Sequence, residues 1–517
     1  MLAVLLASTL LSAAAPAASP VPAAHAAHAA DVANRYRMKH ETEIVRDFIE
    51  LLAIPNVPKY PSAPDGLAKN ADEIARRLER RGIHTRRLEV PGAPPAIYGE
   101  RATPGAKTTV VFYAHYDGQP VDPARWTNGD PFHPYLTDRA LADGGKPIPF
   151  PADGTPGVSF DPESRLYARS AGDDKAPVVA LLAALDALDE AGIQPTVNLK
   201  FFFEGEEEQG SPHLAQMLAA YRDLLAADLW LFCDGPVHQS RRPQIVFGAR
   251  GITSFELTVY GARRELHSGH YGNWAPNPAF DLARLLTSMK DADGRVLVAD
   301  FEQGMEPVGD LERQALADAP PIDDDLKREL WLGRTERSPE RLEEAILHPS
   351  LNVRGLASAA VGDAARNVVP DRATAAIDIR LVKGLDPKTM VDRVIAHVRA
   401  QGYFVTENEP TPEERTSHPH VARVAREEGG YRAIRTRMDL PEAKRVVVAL
   451  EAAHGRIVRL PTLGGSLPLA AFDDVLKVPL LIVPIANHDD NQHTHDENLR
   501  LQNLWDGIET FAALFTM

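Results

Sequence analysis

Leu166-Tyr-Ala-Arg-Ser-Ala-Gly-Asp-Asp-Lys-Ala-Pro177 places two adjacent carboxylates, Asp173 and Asp174, in a turn flanked by Gly and Ser. The apolar run Val178–Leu188 that follows reads as a buried helix. Open α/β folds keep their chemistry where a turn delivers polar side chains to a sheet edge just before a helix. Taken alone, an Asp-Asp-Lys turn is ordinary, since either aspartate would serve to cap the helix. The segments on both sides change that reading.

Upstream, Thr108-Thr-Val-Val-Phe-Tyr-Ala114 is apolar enough for a strand covered on both faces, and it runs into His115-Tyr-Asp117. Side chains alternate along a strand, so His115 and Asp117 share a side, and a carboxylate there can fix the tautomer of a metal-binding imidazole. Downstream, the strand Val197–Phe203 ends in Glu204-Gly-Glu206-Glu207-Glu208, and Asp228–Cys233 ends in Asp234-Gly-Pro. A run of Glu is usually a solvated face. Here four successive strand or turn ends each present a His or a carboxylate: His115, Asp173, Glu207/Glu208 and Asp234.

Composition narrows the function classes. The 517 residues are too many for one core, so two domains or a large insertion are expected. A formal charge of −16 argues against a nucleic-acid binder, and no basic amphipathic helix suggests a membrane surface. Cys233 is the single cysteine, which excludes a disulfide within the chain and any multi-thiolate zinc site. A metal would therefore be held by imidazole and carboxylate. Residues 1–30, apolar and then rich in Ala, Pro, Ser and His, resemble a signal peptide with a low-complexity spacer, although the start carries no Lys or Arg. That reading predicts a protein exported to a periplasm or secreted.

Helical periodicity marks 41–54, 66–82 and 177–191, with β-like runs at 86–90 and 96–99. Residues 133–166 read as a surface loop lengthened by insertion, at the mouth of a site. From about residue 249 the character changes. Alternating strands at 253–260 and 374–380, helices at 277–289 and 387–401, and an acidic stretch 291–349 suggest a small sheet with helices on one face. The α/β pattern then resumes through Gly464-Gly465-Ser466, a strand at 479–485 and a closing helix. The expected organisation is a catalytic domain of residues 31–248 and 409–517, with 249–408 inserted as a lid.

The ordered series His-x-Asp, Asp-Asp-Lys, Glu-Gly-x-Glu-Glu-x-Gly-Ser, Asp-Gly-Pro, Leu-His-Ser-Gly and His493-Thr-His-Asp-Glu497 resembles the dinuclear zinc exopeptidases. That family includes carboxypeptidase G, carnosine dipeptidase, aminoacylase and succinyl-diaminopimelate desuccinylase, and the resemblance runs from about residue 40 to 515. It implies an α/β, mixed-sheet catalytic domain with a smaller α+β lid and dimerisation domain. It implies two Zn2+ per subunit, with Mn2+ or Co2+ as substitutes. Asp173 would bridge the metals, His115 and Asp234 would complete one, and Glu208 and His493 the other. Glu207 would be the general base for a metal-bridging water, and Asp117 would orient His115. His267 would cross a homodimer formed through the lid to stabilise the partner site's oxyanion. Arg380, Gly465, Ser466 and Asn367 would lie around the substrate's free carboxylate. The peptide bond between Asp173 and Asp174 would be cis.

The residue chemistry agrees. Oxygen and imidazole donors suit zinc, manganese or cobalt, and two metals can share a hydroxide and stabilise a developing oxyanion. Arg fits a carboxylate bidentately, which favours chain-terminal substrates. Two departures stand out: Ala168-Arg169-Ser170 replaces Gly-Arg-Gly before the bridging aspartate, and Ala176 replaces a glycine after the lysine. His495 competes with His493 as ligand, but Glu497 then sits four residues after His493, as in the family. Asp rather than Glu at 234 resembles the dipeptidase branch. The expected activity is hydrolysis of dipeptides or short peptides beside a free carboxylate. Deacylation of N-acyl amino acids is the alternative, and a catalytically inactive metal-binding relative the remaining one.

Overall fold

The computed structural model describes residues 20–151 and 159–517. Its centre is an eight-stranded mixed sheet in the spatial order His84–Leu88, Ala96–Arg101, Asn198–Glu204, Thr109–His115, Leu229–Phe232, Leu480–Ile482, Gln244–Val246 and Val458–Leu460. Thr109–His115 is parallel to both its neighbours, and Leu480–Ile482 is parallel to Leu229–Phe232. The outer hairpin and the pairing of Ala96–Arg101 with Asn198–Glu204 are antiparallel.

Alternation along the strands sorts their side chains into two cores. Val110, Phe112, Phe201 and Phe203 face the helices Pro20–Leu52, Lys175–Glu190, Pro441–His454 and Leu501–Phe515. Val111, Tyr113, Phe202, Trp230 and Phe232 face Leu214–Ala220 and Leu469–Leu476, where Phe472 lies edge-on to Tyr113, Phe202 and Phe232. With both faces covered, the strand ends are where polar groups can gather.

A second, five-stranded sheet runs Ser350–Ala357, Arg372–Leu381, Gly251–Tyr260, Val421–Arg426, Phe404–Thr406. Pro278–Met289 and Pro387–Ala400 cover one face with Leu282, Leu285, Met289, Met390, Val391 and Val394. Each helix begins with a Pro behind a capping Asn277 or Asp386, whose side chain accepts a main-chain N–H. The sheet extends past the boundary expected at 408. Val421–Arg426 pairs with Gly251–Tyr260, so this sheet continues to 426. Periodicity did not reveal this six-residue strand, because only its partners give it a face.

Two further expectations are corrected. The stretch 133–166 is more than a loop: Tyr135–Thr137, Pro147–Ile148 and Arg165–Tyr167 form a four-stranded antiparallel sheet with Asn498–Arg500. Strands of two or three residues carry no readable period, and the strand that pairs with Arg165–Tyr167 lies over 300 residues away. Residues 152–158 of that stretch lie outside the described residues.

At the other end, residues 20–30 are no spacer. They open the helix Pro20–Leu52, with Ala26, Ala29 and Ala30 buried in the main core. Asn34 Nδ2 donates to Glu509 Oε1 at 2.6 Å, tying this helix to the C-terminal one. Alanine favours helix as readily as it favours low complexity. The reading of an exported protein rested on a leader and spacer spanning 1–30, and it is withdrawn. Residues 1–19 lie outside the described residues. Among the described residues no helix is long and apolar enough to cross a membrane.

Ala29→Leu adds volume at a site with no exposed surface. Overpacking of this kind costs about 1–3 kcal/mol, so the thermal and urea midpoints should both fall. An unchanged midpoint would mean that this part of the helix does not pack on the domain.

Candidate metal and catalytic site

The turn before Lys175–Glu190 is held from three directions. Glu497, fully buried, accepts from the N–H groups of Gly172 and Asp173 at 2.9 Å each with Oε1. Its Oε2 accepts from Ser170 N at 2.8 Å and Arg169 Nη1 at 2.7 Å. Lys175 Nζ, also buried, donates at 2.9 Å to the carbonyls of Leu51 and Ile54 at the end of the first helix. Asn56 Nδ2 donates to Ser170 Oγ at 2.8 Å. Ser170 stands where the family has glycine, and it takes φ +64. That left-handed conformation costs a side-chain-bearing residue roughly 1–2 kcal/mol, which the Asn56 and Glu497 contacts offset. Gly172 is required for space: a Cβ there would lie 2.7 Å from Asp490 Oδ2. The Asp173–Asp174 peptide is cis.

Held this way, Asp173 turns one oxygen toward each of two histidines. Oδ1 lies 2.8 Å from His115 Nε2, and Oδ2 lies 3.1 Å from His493 Nε2. His493 Nε2 is also 3.3 Å from Glu208 Oε2, and His115 Nε2 is 3.9 Å from Asp234 Oδ2. Ligand-type atoms fall into two tight groups, His115–Asp174–Asp234 and Asp173–Glu208–His493, each within 4.8 Å. Asp174 enters the first group, although the resemblance gives it no ligand role. Its Oδ2 accepts from the main-chain N–H of His115 at 3.2 Å, and it is Asp173 that reaches both histidines.

Asp117 does more than face His115. Its main-chain carbonyl and Oδ1 lie 3.2 and 3.4 Å from His115 Nδ1. Its two carboxylate oxygens accept from the N–H groups of Glu207 and Glu208 at 3.1 Å each. One aspartate thus orients a histidine and fixes the turn that carries the adjacent glutamates. Gln119 and Gln492 were not foreseen. Gln119 Nε2 donates to Glu208 Oε2 and Gln492 Nε2 to Asp173 Oδ2, each at 2.7 Å. Their adjacency to Asp117 and His493 was the only hint of them in the sequence.

The electrostatics describe a site with too much negative charge for its burial. Burial, then Asp234 and Asp173, push the Glu207 carboxyl well up, although His115 opposes them. Burial and Asp173 push Asp234 up to about 7. Burial opposes a charge on Asp173, but hydrogen bonds from His115 and His493 outweigh it and hold its carboxyl low. Hydrogen bonds that the imidazole donates to Asp173 and Glu208 push His493 up to about 11. Cations placed between these oxygens would neutralise them and let the carboxylates ionise. The donor set of imidazole and carboxylate and the two-sided Asp173 fit a pair of divalent metal ions.

Around the carboxylates opens a cavity of about 540 Å3, lined among others by Glu207, Arg380, Tyr431 and Gly464-Gly465-Ser466. Arg380 Nη1 donates to Ser466 Oγ at 2.7 Å, which aims the guanidinium at this turn. Two expected site residues are elsewhere. His267 is exposed on the strand Leu266–His267, paired with Val368–Val369, and its Nδ1 accepts from Gly269 N at 3.1 Å. Asn367 is exposed beside it, its carbonyl accepting from Ser268 N. Neither lines the cavity within one chain. His495 is not in either ligand group, and His493 is.

Residues 111–517 match the model of peptidase family M20/M25/M40. The chain belongs to that family. It is 26% identical over 496 residues to the Cys-Gly metallodipeptidase dug1 of Schizosaccharomyces pombe, covering 92% of this chain and 95% of that protein. To the human Beta-Ala-His dipeptidase it is 27% identical over 500 residues, covering 92% and 90%. The fold matches the solved dipeptidase Dug1p of Saccharomyces cerevisiae with a TM-score of 0.72, at 22% identity over 95% of this chain and 98% of that one. It matches the M20 metallo-carboxypeptidase Sso-CP2 of Sulfolobus solfataricus at 0.71, with 24% identity over 92% and 98%. The resemblance to metal-dependent exopeptidases read from the motifs is therefore upheld, on the dipeptidase side of the family.

Removing the Glu497 carboxylate would leave the Arg169 guanidinium and three main-chain N–H groups buried without their acceptor. Glu497→Ala should cost about 3–5 kcal/mol and weaken metal retention together with the thermal midpoint. A variant with wild-type midpoint and metal content would show that the turn holds without this clamp.

Proposed function

We propose that this M20 peptidase hydrolyses the peptide bond of dipeptides or short peptides next to a free carboxylate, with two divalent metal ions, zinc by preference. The observation that supports this most is Asp173, one oxygen toward each histidine, beside Glu207 in a cavity that also holds Arg380 and Ser466. His115, Asp173 and Asp234 would hold one ion, and Asp173, Glu208 and His493 the other. When bound, the pair supplies Lewis acidity and lowers the pKa of the attacking water. Glu207 takes that water's proton and returns it to the leaving amine nitrogen, which becomes the new amino terminus. Arg380, with Ser466 and the Gly464-Gly465 turn, holds the substrate's carboxylate and sets the distance to the scissile bond. The relatives, named as dipeptidases, favour this reading over N-acyl-amino-acid deacylation.

The oxyanion donor is a second part of the proposal. His267 is exposed and does not line the cavity of its own chain, so its assigned task requires another copy of the chain. Trp274 and Phe280 near His267, and Leu356 and Val361 by the edge strand Ser350–Ala357, are 66–86% exposed, an apolar surface suited to a homodimer through the lid.

Glu207→Gln should keep its metal and lose at least about 10²-fold in turnover, the scale of a lost general base. Glu208→Gln should lose metal instead. Elemental analysis beside kcat decides the roles, and the opposite pattern would exchange them.

His267→Ala should lower kcat with metal content unchanged. Mixed with Glu207→Gln protein, it should regain activity once subunits exchange, because one site then has an intact Glu207 and a partner's intact histidine. Verified mixed dimers without recovery would exclude action across the interface.

A further inference from the structure

The cavity has a wall that the chemistry above does not use. Leu342 and Ile346 both line it, from the short helix Leu342–Ala345 and the residue that caps it. Positions four apart share one helix face, so the two side chains stand side by side. Leu342 is left 38% exposed. Ile346 lies against the Gly464 turn: a Cβ built on Gly464 would sit 3.8 Å from its Cδ1 and Cγ2. That turn leads to Ser466, whose Oγ accepts from Arg380. The wall therefore stands beside the groups assigned to the substrate's carboxylate.

The segment is fixed in place. Glu343, buried, has Oε1 3.2 Å from Nε2 of the buried His238, and its Oε2 is 3.4 Å from Arg341 Nη2. His238 follows Asp234 by four residues, which ties the wall to the strand end carrying a metal-site carboxylate. Leu342 N donates to Asp323 Oδ1 at 2.8 Å, anchoring the other end.

We propose that Leu342 and Ile346 form the subsite for the side chain of the substrate's carboxy-terminal residue. The enzyme then selects dipeptides ending in a large aliphatic residue over those ending in glycine or lysine. The side chain of a terminal residue branches from the carbon that bears the carboxylate, so a carboxylate at Arg380 and Ser466 brings it to this wall. A single methylene in an apolar pocket is worth roughly 10–200-fold in kcat/KM. The inference rests on the dipeptidase reading and names the substrate class within it.

The test compares kcat/KM of the metal-loaded full chain on Ala-Leu, Ala-Gly and Ala-Lys. Wild type should favour Ala-Leu over Ala-Gly by at least about tenfold. The pair Leu342→Ala with Ile346→Ala should reduce that ratio about tenfold. Leu342→Glu, at an exposed position, should raise the ratio of Ala-Lys to Ala-Leu, a change that misfolding cannot produce. Equal wild-type rates on Ala-Leu and Ala-Gly, or variants that leave both ratios unaltered, would overturn the wall while sparing the dipeptidase reading. No hydrolysis of any of the three by metal-loaded wild type would remove that reading, and the inference with it.

Discussion

Glu497 accepts four hydrogen bonds without any exposed surface, and the turn carrying Asp173 takes its shape from that carboxylate. Burying an ionised carboxylate costs several kcal/mol. Hydrogen bonds to a charged group return about 1.5–3 kcal/mol each, so four of them offset the cost. The same bonds remove the freedom of Ser170, Gly172 and Asp173 to move. With the turn fixed, Oδ1 of Asp173 meets His115, and Oδ2 meets His493 and Gln492.

The rest of the site repeats this pattern of buried charge held by main-chain donors. Asp117 uses both oxygens on the N–H groups of Glu207 and Glu208, and Asp174 uses one on His115. The carboxylates that line the cavity are therefore mounted on other carboxylates, which crowds acidic groups into one place. Such a cluster is costly by itself: burial and neighbouring carboxylates push the Glu207 and Asp234 carboxyls up, and cations would offset that charge. Folding energy spent on rigidity here prepares the geometry that metal binding and proton transfer need.

The second sheet contributes to the same cavity from the other side. Arg380 lies on Arg372–Leu381 and reaches Ser466 of the catalytic part, while the acidic stretch before that strand supplies Leu342 and Ile346. Positioning by two separate sheets makes the Arg380 end of the cavity sensitive to how the second sheet sits. His267 and Asn367 are exposed beside the short strand pair Leu266–His267 and Val368–Val369, and neither lines the cavity of its own chain.

The sequence by itself determined the strand ends that carry chemistry. Long apolar strands such as Thr109–His115 and Asn198–Glu204 have a period that only a covered sheet satisfies, and His115, Glu207 and Asp234 follow from where they stop. The ordered motifs then gave the family and the cis bond at Asp173. Tertiary structure alone decided the rest, because contacts distant in sequence leave no local period. The three-residue strand Arg165–Tyr167 pairs with Asn498–Arg500, and Val421–Arg426 joins the second sheet through Gly251–Tyr260. The alanine-rich start reads equally well as spacer or helix, and only burial against the core makes Ala26 and Ala29 structural. Glu497 was visible as a motif letter. That it holds the turn could be seen only once residues 169 and 497 met, since hydrogen bonds record proximity in space and a sequence records order along the chain.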